Sequence, residues 1–557
     1  MKRFDYSKYK PFVTIEKSDR RWPDKVIKKS PAWCSVDLRD GNQALIDPMT
    51  PEQKLEMFEM LVEVGFKEIE VGFPAASQTD FDFVRQLIVE DRIPEDVTIQ
   101  VLTQSRKELI ERTYESLVGA EKAIVHVYNS TSTVQREQVF KLSKDEIKQI
   151  AVDGATWVKQ GAEKQPETQW QFQYSPESFT GTEIDYSVEV CNAVIDVWQP
   201  TADNKIILNL PATVEVATPN VYADQIEWFC DHINQRDDVI ISLHTHNDRG
   251  CGVAASELGV LAGADRVEGT LLGNGERTGN MDIVTMGMNL YSQGVDPVLD
   301  FSRMDKIIHV VEKCTALKVH PRHPYAGELV FAAFSGSHQD AINKCLALYQ
   351  EGEPWDVAYL PIDPRDLGRN YQEVIRINSQ SGKGGVAYVL EQEHSIKMPR
   401  WLQVDFSPVV QAEAEATKME VSSNQIFDLF QQTYMAPDNS RSLKSYQVTR
   451  ENGIDSMQAV LFDGKTDHSI SGQGRGVLEA FVEGLSKHIG QQFVIIDYNE
   501  HTMGTDESSE AMAYVQISIN QQRVCGAGKS HDILGATLNA VLNAVARSEV
   551  LFSQKVA

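Results

Sequence analysis

The chain has 557 residues, 42% of them hydrophobic, and a formal net charge of −27 at neutral pH. Length alone allows several domains, and the charge argues against non-specific binding to nucleic acid or to an anionic membrane. No apolar run approaches a membrane span, the N-terminus lacks the apolar stretch of a secretory signal, and the seven cysteines form no Cys-x-x-Cys pair, so a cytoplasmic protein with reduced thiols is expected. An anionic substrate would have to be drawn in by a local cation or metal against this field.

Between residues 32 and 290, short β-rich runs alternate with charged helical segments. The runs cover 33–38, 68–73, 97–102, 123–128, 170–174, 206–210, 239–244 and 266–271. The helical stretch after the first opens with Thr50 and Pro51, a cap and a first-turn residue. Eight strand–helix units predict an α/β fold of the (β/α)8, or TIM, barrel type. Such a barrel should carry its chemically useful residues at the C-terminal ends of its strands. Arg39 and Asp40 follow the first run, Gln104 the third, and His126 lies in the fourth. Ser175 and Glu177 follow the fifth, and Thr213 and Glu215 the sixth. His244 and His246 end the seventh, and Asn274, Glu276, Arg277 and Asn280 follow the eighth.

The seventh run is the most informative. His244 and His246 stand two apart at the end of an apolar strand, a spacing that points both imidazoles to one side. A hard or borderline divalent cation takes a carboxylate beside two imidazoles. Asp40, at the same end of the barrel, can supply it, although an Asp before Gly41 also suits a turn. Asn280 could add a carbonyl oxygen directly or through water, and three or four protein ligands leave open positions for a substrate.

Leu38-Arg39-Asp40-Gly41-Asn42-Gln43, followed after ten residues by Lys54, resembles the first signature of the α-isopropylmalate and homocitrate synthase family. The segment Ile241 to Ala254, with His244-x-His246-Asn247-Asp248-x-Gly250-x-Gly252, is similar to the second, and Gly273 to Asn280 to the glycine-rich loop that closes the barrel. The resemblance implies a Claisen-type condensation of acetyl-CoA with 3-methyl-2-oxobutanoate and hydrolysis of the thioester to 2-isopropylmalate. It implies metal ligands Asp40, His244 and His246 with Asn280 at or near the ion, and Arg39 facing the developing oxyanion. His126, Ser175, Glu177 and Thr213 would contact the keto acid, Thr213 through its carboxylate. The expected base is His338, with Glu177 as its partner, reaching a neighbouring subunit's site, and Tyr371 is assigned to the same site. The metal expected first is magnesium, with manganese and zinc also suited to the mixed nitrogen and oxygen ligands. Citramalate and homocitrate synthases share these features, and a leucine-sensing protein with a relict barrel is the reading from another class.

Downstream the eightfold rhythm stops. The expected domains are a barrel with an N-terminal extension over 1–325, linker subdomains over 326–435, and a regulatory domain over 436–557. The linker is turn-rich around 360–371, and Ser381 to Gly385 reads as a flexible turn rather than a phosphate cradle. The last hundred-odd residues hold an internal duplication: strand, strand, Gly-x-Gly, helix, once through Gly472 and Gly474 and again through Gly526 and Gly528. The run Gly526-Ala527-Gly528-Lys529-Ser530 imitates the end of a P-loop, but the position of its first glycine is Arg523, so nucleotide hydrolysis is rejected. By resemblance this domain binds leucine, inhibits the barrel and joins two chains as a homodimer.

Overall fold

The computed structural model describes residues 5–333, 335–369, 383–417, 421–435, 441–503 and 510–554. They form two compact units, Met1–Val330 with Asp366–Gly368, and Phe331–Arg365 with Arg369–Ala557. Among the described residues, no helix is long and apolar enough to cross a membrane.

The first unit is a closed parallel barrel of eight strands in sequence order: β1 Ala32–Ser35, β2 Glu68–Gly72, β3 Thr98–Gln104, β4 Lys122–Ser130, β5 Gln169–Glu177, β6 Ile206–Ala212, β7 Val239–Thr245 and β8 Arg266–Gly269. Cys34 of β1 aligns with Glu68 on one side and with Glu268 on the other, which closes the ring. Helices α1 Pro51–Val64, α2 Gln78–Val89, α3 Lys107–Ser116, α4 Lys144–Lys164, α5 Ile184–Trp198, α6 Pro219–His232, α7 Gly252–Ala262 and α8 Ile283–Tyr291 follow the strands in turn, and α9 Met304–Thr315 follows α8. The expected cap is present: Thr50 and Gln53 form a reciprocal capping box at the start of α1.

Strands β1 and β8 stop two or three residues short of their expected ends, and the reason is local. After Ser35 the backbone turns, with Arg39 and Gly41 both donating to Val36 O, while the Asp37 carboxylate accepts the Leu271 amide. At the end of β8, Gly269 leaves room for the Met281 carbonyl, which a Cβ there would meet at 2.4 Å and which accepts the Thr270 amide, so the chain after β8 returns against the strand end. Both departures deliver Arg39, Asp40 and the glycine-rich loop to one rim.

The second unit opens with helices α10 Gly336–Leu348, α11 Lys383–His394, α12 Arg400–Thr417 and α13 Ser423–Tyr434. Two repeats follow: β9 Ser442–Glu451, β10 Ile454–Phe462, β11 Asp467–Gly474 and α14 Val477–Ile489, then β12 Phe493–Met503, β13 Glu510–Ile519, β14 Gln522–Ser530 and α15 Ile533–Gln554. Each repeat is therefore an antiparallel three-stranded sheet with one helix, one strand more than the duplication predicts. Their inward faces share a single core that includes Leu461, Leu485, Phe493, Val515, Ile517 and Val541.

The Gly-x-Gly of each repeat has a packing explanation. A Cβ at Gly526 would lie 2.4 Å from Ala540 O, and one at Gly528 2.3 Å from Ala536 O and Ala540 N. A Cβ at Gly472 would lie 2.2 Å from Ala480 O, and one at Gly474 2.6 Å from Ala480 N. The glycines thus let α14 and α15 sit backbone-to-backbone on β11 and β14, and the P-loop imitation runs along a β-strand. Gly528→Ala should lower the urea midpoint of the second unit, a loss of about 1–3 kcal/mol from overpacking. An unchanged midpoint would show that helix and strand separate without cost.

Candidate active site and metal centre

Asp40, His244 and His246 converge at the C-terminal end of the barrel, with ligand-type atoms all within 4.8 Å of one another. All three are buried. His244 Nε2 lies 3.2 Å from Asp40 Oδ2, and His246 Nε2 3.4 Å from the same oxygen. His246 Nε2 is buried and makes no hydrogen bond, and Asn280 Oδ1 is likewise a buried acceptor without a partner. Buried polar atoms are seldom left unpaired, so an imidazole nitrogen and an amide oxygen in this state fit a cation and its shell. Asn280 is paired by backbone against His246, and Gly275 lies so close that a Cβ there would stand 2.7 Å from Asn280 Nδ2, so the glycine-rich loop wraps the amide.

Arg39 is clamped on two sides. Its Nη1 donates to Asp40 Oδ1 at 2.8 Å and its Nε to Glu70 Oε1. Burial opposes its charge, but Asp40 and Glu70 outweigh that and raise its pKa. Burial likewise works against ionised Asp40, yet Arg39, His244 and His246 hold it well below the usual carboxylate range. Around His244, burial favours the neutral ring, and Asp40 and Glu268 overcome it, pushing the imidazole up to about 9.

A second chain of hydrogen bonds lines the opposite side. His126 Nδ1 contacts Glu70 Oε2 at 2.7 Å, its Nε2 contacts Ser175 Oγ at 2.7 Å, and Asn209 Nδ2 donates to that oxygen at 3.0 Å. Thr213 Oγ1 accepts the Ser178 amide at 2.9 Å, so its own O–H is left to donate. Ser130 Oγ donates to Glu177 Oε2. Arg277 donates to Asp248 and to Thr213 O, tying together the loops that follow β6, β7 and β8. These groups surround a cavity of about 890 Å³ lined by Arg39, Asp40, His126, Ser175, Glu177, Thr213, His244 and His246, and also by Lys54, Leu102, Tyr128 and Arg277. That volume lies in the range of small-molecule sites.

Family models and known proteins match this chain over most of its length. An HMGL-like family model matches residues 30–311, an alpha-isopropylmalate synthase post-catalytic domain-like model matches 328–391, and a LeuA allosteric (dimerisation) domain model matches 420–549. The 2-isopropylmalate synthase of Alcanivorax borkumensis is 55% identical over 555 residues, covering 100% of this chain and 99% of its own. Those of Pseudomonas entomophila and of a Parafrankia species are each 56% identical, covering 97% of both chains. The chain belongs to the 2-isopropylmalate synthase family. The citramalate, homocitrate and sensing alternatives are not favoured by these matches.

The structure brings most of the rim that the sequence pointed to around one cavity. Eleven of the fourteen rim residues named from the sequence line it, all but Glu215, Asn274 and Asn280, and Asn280 abuts His246. His338 lies on α10 in the second unit, its ring stacked on Tyr359 with centroids 3.9 Å apart. Tyr371 and Ser381 fall outside the described residues. Nearby, His320 Nδ1 accepts the Arg322 amide, and His323 contacts Leu272 O and the Asp282 carboxylate.

Missed by sequence reasoning were the polar residues deeper in the barrel: Glu70, Gln100, Gln173, Asn209, Arg266 and Glu268. Their signal was a charged or amide residue at alternate positions within runs otherwise apolar, such as Arg266-Val267-Glu268, since every second strand residue faces the barrel axis. Stripped of metal and titrated with Mn2+, the protein should gain thermal stability, by about 2.7 kcal/mol when the ion stands at a hundred times its Kd. Asp40→Asn and His246→Ala should show no such gain in differential scanning fluorimetry. An equal gain in either variant would move the ion elsewhere.

Proposed function

We propose that this chain condenses acetyl-CoA with 3-methyl-2-oxobutanoate and hydrolyses the thioester to 2-isopropylmalate in the cytoplasm. The observation that carries this reading is the meeting of Asp40, His244 and His246 with a clamped Arg39 at one cavity, in a chain that matches 2-isopropylmalate synthases end to end.

Asp40, His244 and His246 are the proposed ligands of a divalent cation, magnesium first and manganese or zinc as alternatives, with Asn280 at or near it. When bound, such a cation supplies Lewis-acid polarisation of the keto carbonyl. Thr213 donates its hydroxyl proton toward the keto acid carboxylate, and His126 and Ser175 contact the same molecule as a hydrogen-bonded pair. Arg39 faces the oxygen on which negative charge develops. Because Glu70 and Asp40 already hold its guanidinium, no reorganisation is needed when that charge appears.

A base removes one methyl proton from acetyl-CoA, and the resulting carbon forms a bond to the keto carbon. The keto oxygen takes the displaced electron pair and then a proton. Water next cleaves the thioester, releasing coenzyme A as a free thiol and leaving a carboxylate. His338 is proposed as the base with Glu177 as its partner, and Tyr371 as an assisting group; these roles rest on the family resemblance. The match to an allosteric dimerisation domain supports a homodimer inhibited by leucine.

Release of free thiol from acetyl-CoA, measured with a panel of 2-keto acids and Mg2+, should be fastest with 3-methyl-2-oxobutanoate and should vanish on chelation. Preference for pyruvate or 2-oxoglutarate would change the substrate while keeping the chemistry. Leucine at saturation should depress that turnover in the full chain and should cease to do so when residues 436–557 are removed, provided the shortened chain retains turnover. Turnover indifferent to leucine in the full chain would overturn the regulatory reading.

A further inference from the structure

Beneath the proposed metal ligands lies a buried cluster that neither the ligand set nor the reaction accounts for. Glu268, on β8, is fully buried, and its two oxygens have different neighbours. Oε1 accepts from Gln173 Nε2 at 2.6 Å and from Arg266 Nη1 at 2.6 Å. Oε2 faces His244 Nδ1 at 2.8 Å. Arg266 is itself held by Ser242 Oγ at 2.8 Å, by Gln100 Oε1 at 2.9 Å and by Glu68. The carboxylate is therefore fixed in one orientation, with its second oxygen aimed at one nitrogen of one histidine.

We propose that Glu268 is a positioning residue for the metal centre: by accepting the Nδ1 proton of His244 it commits the lone pair on Nε2 to the ion. This rests on the reading of Asp40, His244 and His246 as a metal site. A neutral imidazole carries one proton on two nitrogens, and only the bare nitrogen can ligate. A carboxylate has no proton to donate, so Nδ1 must carry it, and the bare nitrogen is the one that faces Asp40. A carboxylate behind a ligating histidine also fixes its ring and raises its basicity.

The isosteric change Glu268→Gln separates this role from simple packing. An amide NH2 placed at the Oε1 position would face three donors, Gln173 and Arg266 and, at 3.4 Å, Gln100, so the amide keeps its oxygen there and turns NH2 toward His244. Nδ1 must then accept, the ring proton moves to Nε2, and the ligating lone pair is lost. Shape and burial are preserved while the tautomer is inverted.

Mn2+ affinity of the metal-stripped protein, measured by equilibrium dialysis with folding checked by circular dichroism, tests this directly. Glu268→Gln should bind Mn2+ about ten- to a hundredfold more weakly. Glu268→Asp, which keeps the charge beside Arg266 but withdraws the oxygen from His244, should also bind more weakly and serves if the Gln variant does not fold. Ser242→Ala removes a partner of Arg266 without touching Glu268 and should keep the parent affinity. Parent affinity in whichever Glu268 variant folds overturns the proposal. So does an equal loss in Ser242→Ala, which would make the whole cluster responsible. Parent affinity in His244→Ala would remove the metal-site reading itself, and the proposal with it.

Discussion

The barrel mouth is organised by the need to pair buried charge. Asp40, Glu70 and Glu268 are carboxylates with side chains less than a tenth exposed, and the guanidiniums they contact belong to Arg39 and Arg266. A single buried charge left alone costs several kcal/mol, so each of these side chains is pinned by its partners rather than by packing alone. With Glu68, which also pairs with Arg266, four carboxylates face two guanidiniums, and two of the four, Asp40 and Glu268, share the surplus beside His244. Asp40 and Glu268 stand on either side of that ring and push its pKa up to about 9 against the effect of burial. A divalent cation among Asp40, His244 and His246 competes with the same proton for the same surplus, so metal and proton are alternative solutions to one electrostatic problem.

Much of this was legible before any coordinates. The barrel could be read because its strands are apolar runs separated by amphipathic helices, and because chemically useful residues recur just past the runs. The convergence of Asp40, His244 and His246 could be read because the two histidines keep a strand spacing and because a barrel brings Asp40 to the same rim. Hidden were the interior partners. Glu70, Gln100 and Glu268 look like ordinary polar residues within strands, and what decides their role is which strands are neighbours across the barrel axis. Gln100 spans from Glu70 on β2 to Arg266 on β8, a contact no local pattern encodes.

The duplicated domain was read correctly as a repeat and incorrectly in its strand count. The first strand of each repeat, β9 and β12, is largely exposed and mixes polar with apolar residues, so the alternation that marks a half-buried strand is weak. The Gly-x-Gly pairs were visible, but their meaning was not. A glycine pair before a helix suggests a ligand loop, whereas here the missing side chains admit the helix backbone itself. Sequence shows that a side chain is absent at these places, and only the fold shows what fills the space.

The overall charge of −27 sharpens what the site must do. On the proposed reading, a keto acid approaching the cavity would meet Asp40 and Glu177 among its lining groups, and at about 4 Å two like charges repel by roughly 4 kcal/mol in a typical protein dielectric. Arg39 is poorly placed to offset this alone, because Nε is committed to Glu70 and Nη1 to Asp40. Its positive charge is already balanced within the cluster, and what it offers is direction: a guanidinium held still at the cavity wall. Attraction and direction are thus divided. On the proposed reading, a cation held by Asp40, His244 and His246 would draw an anion in, and the clamped arginine would supply the fixed geometry that favours one developing charge over another.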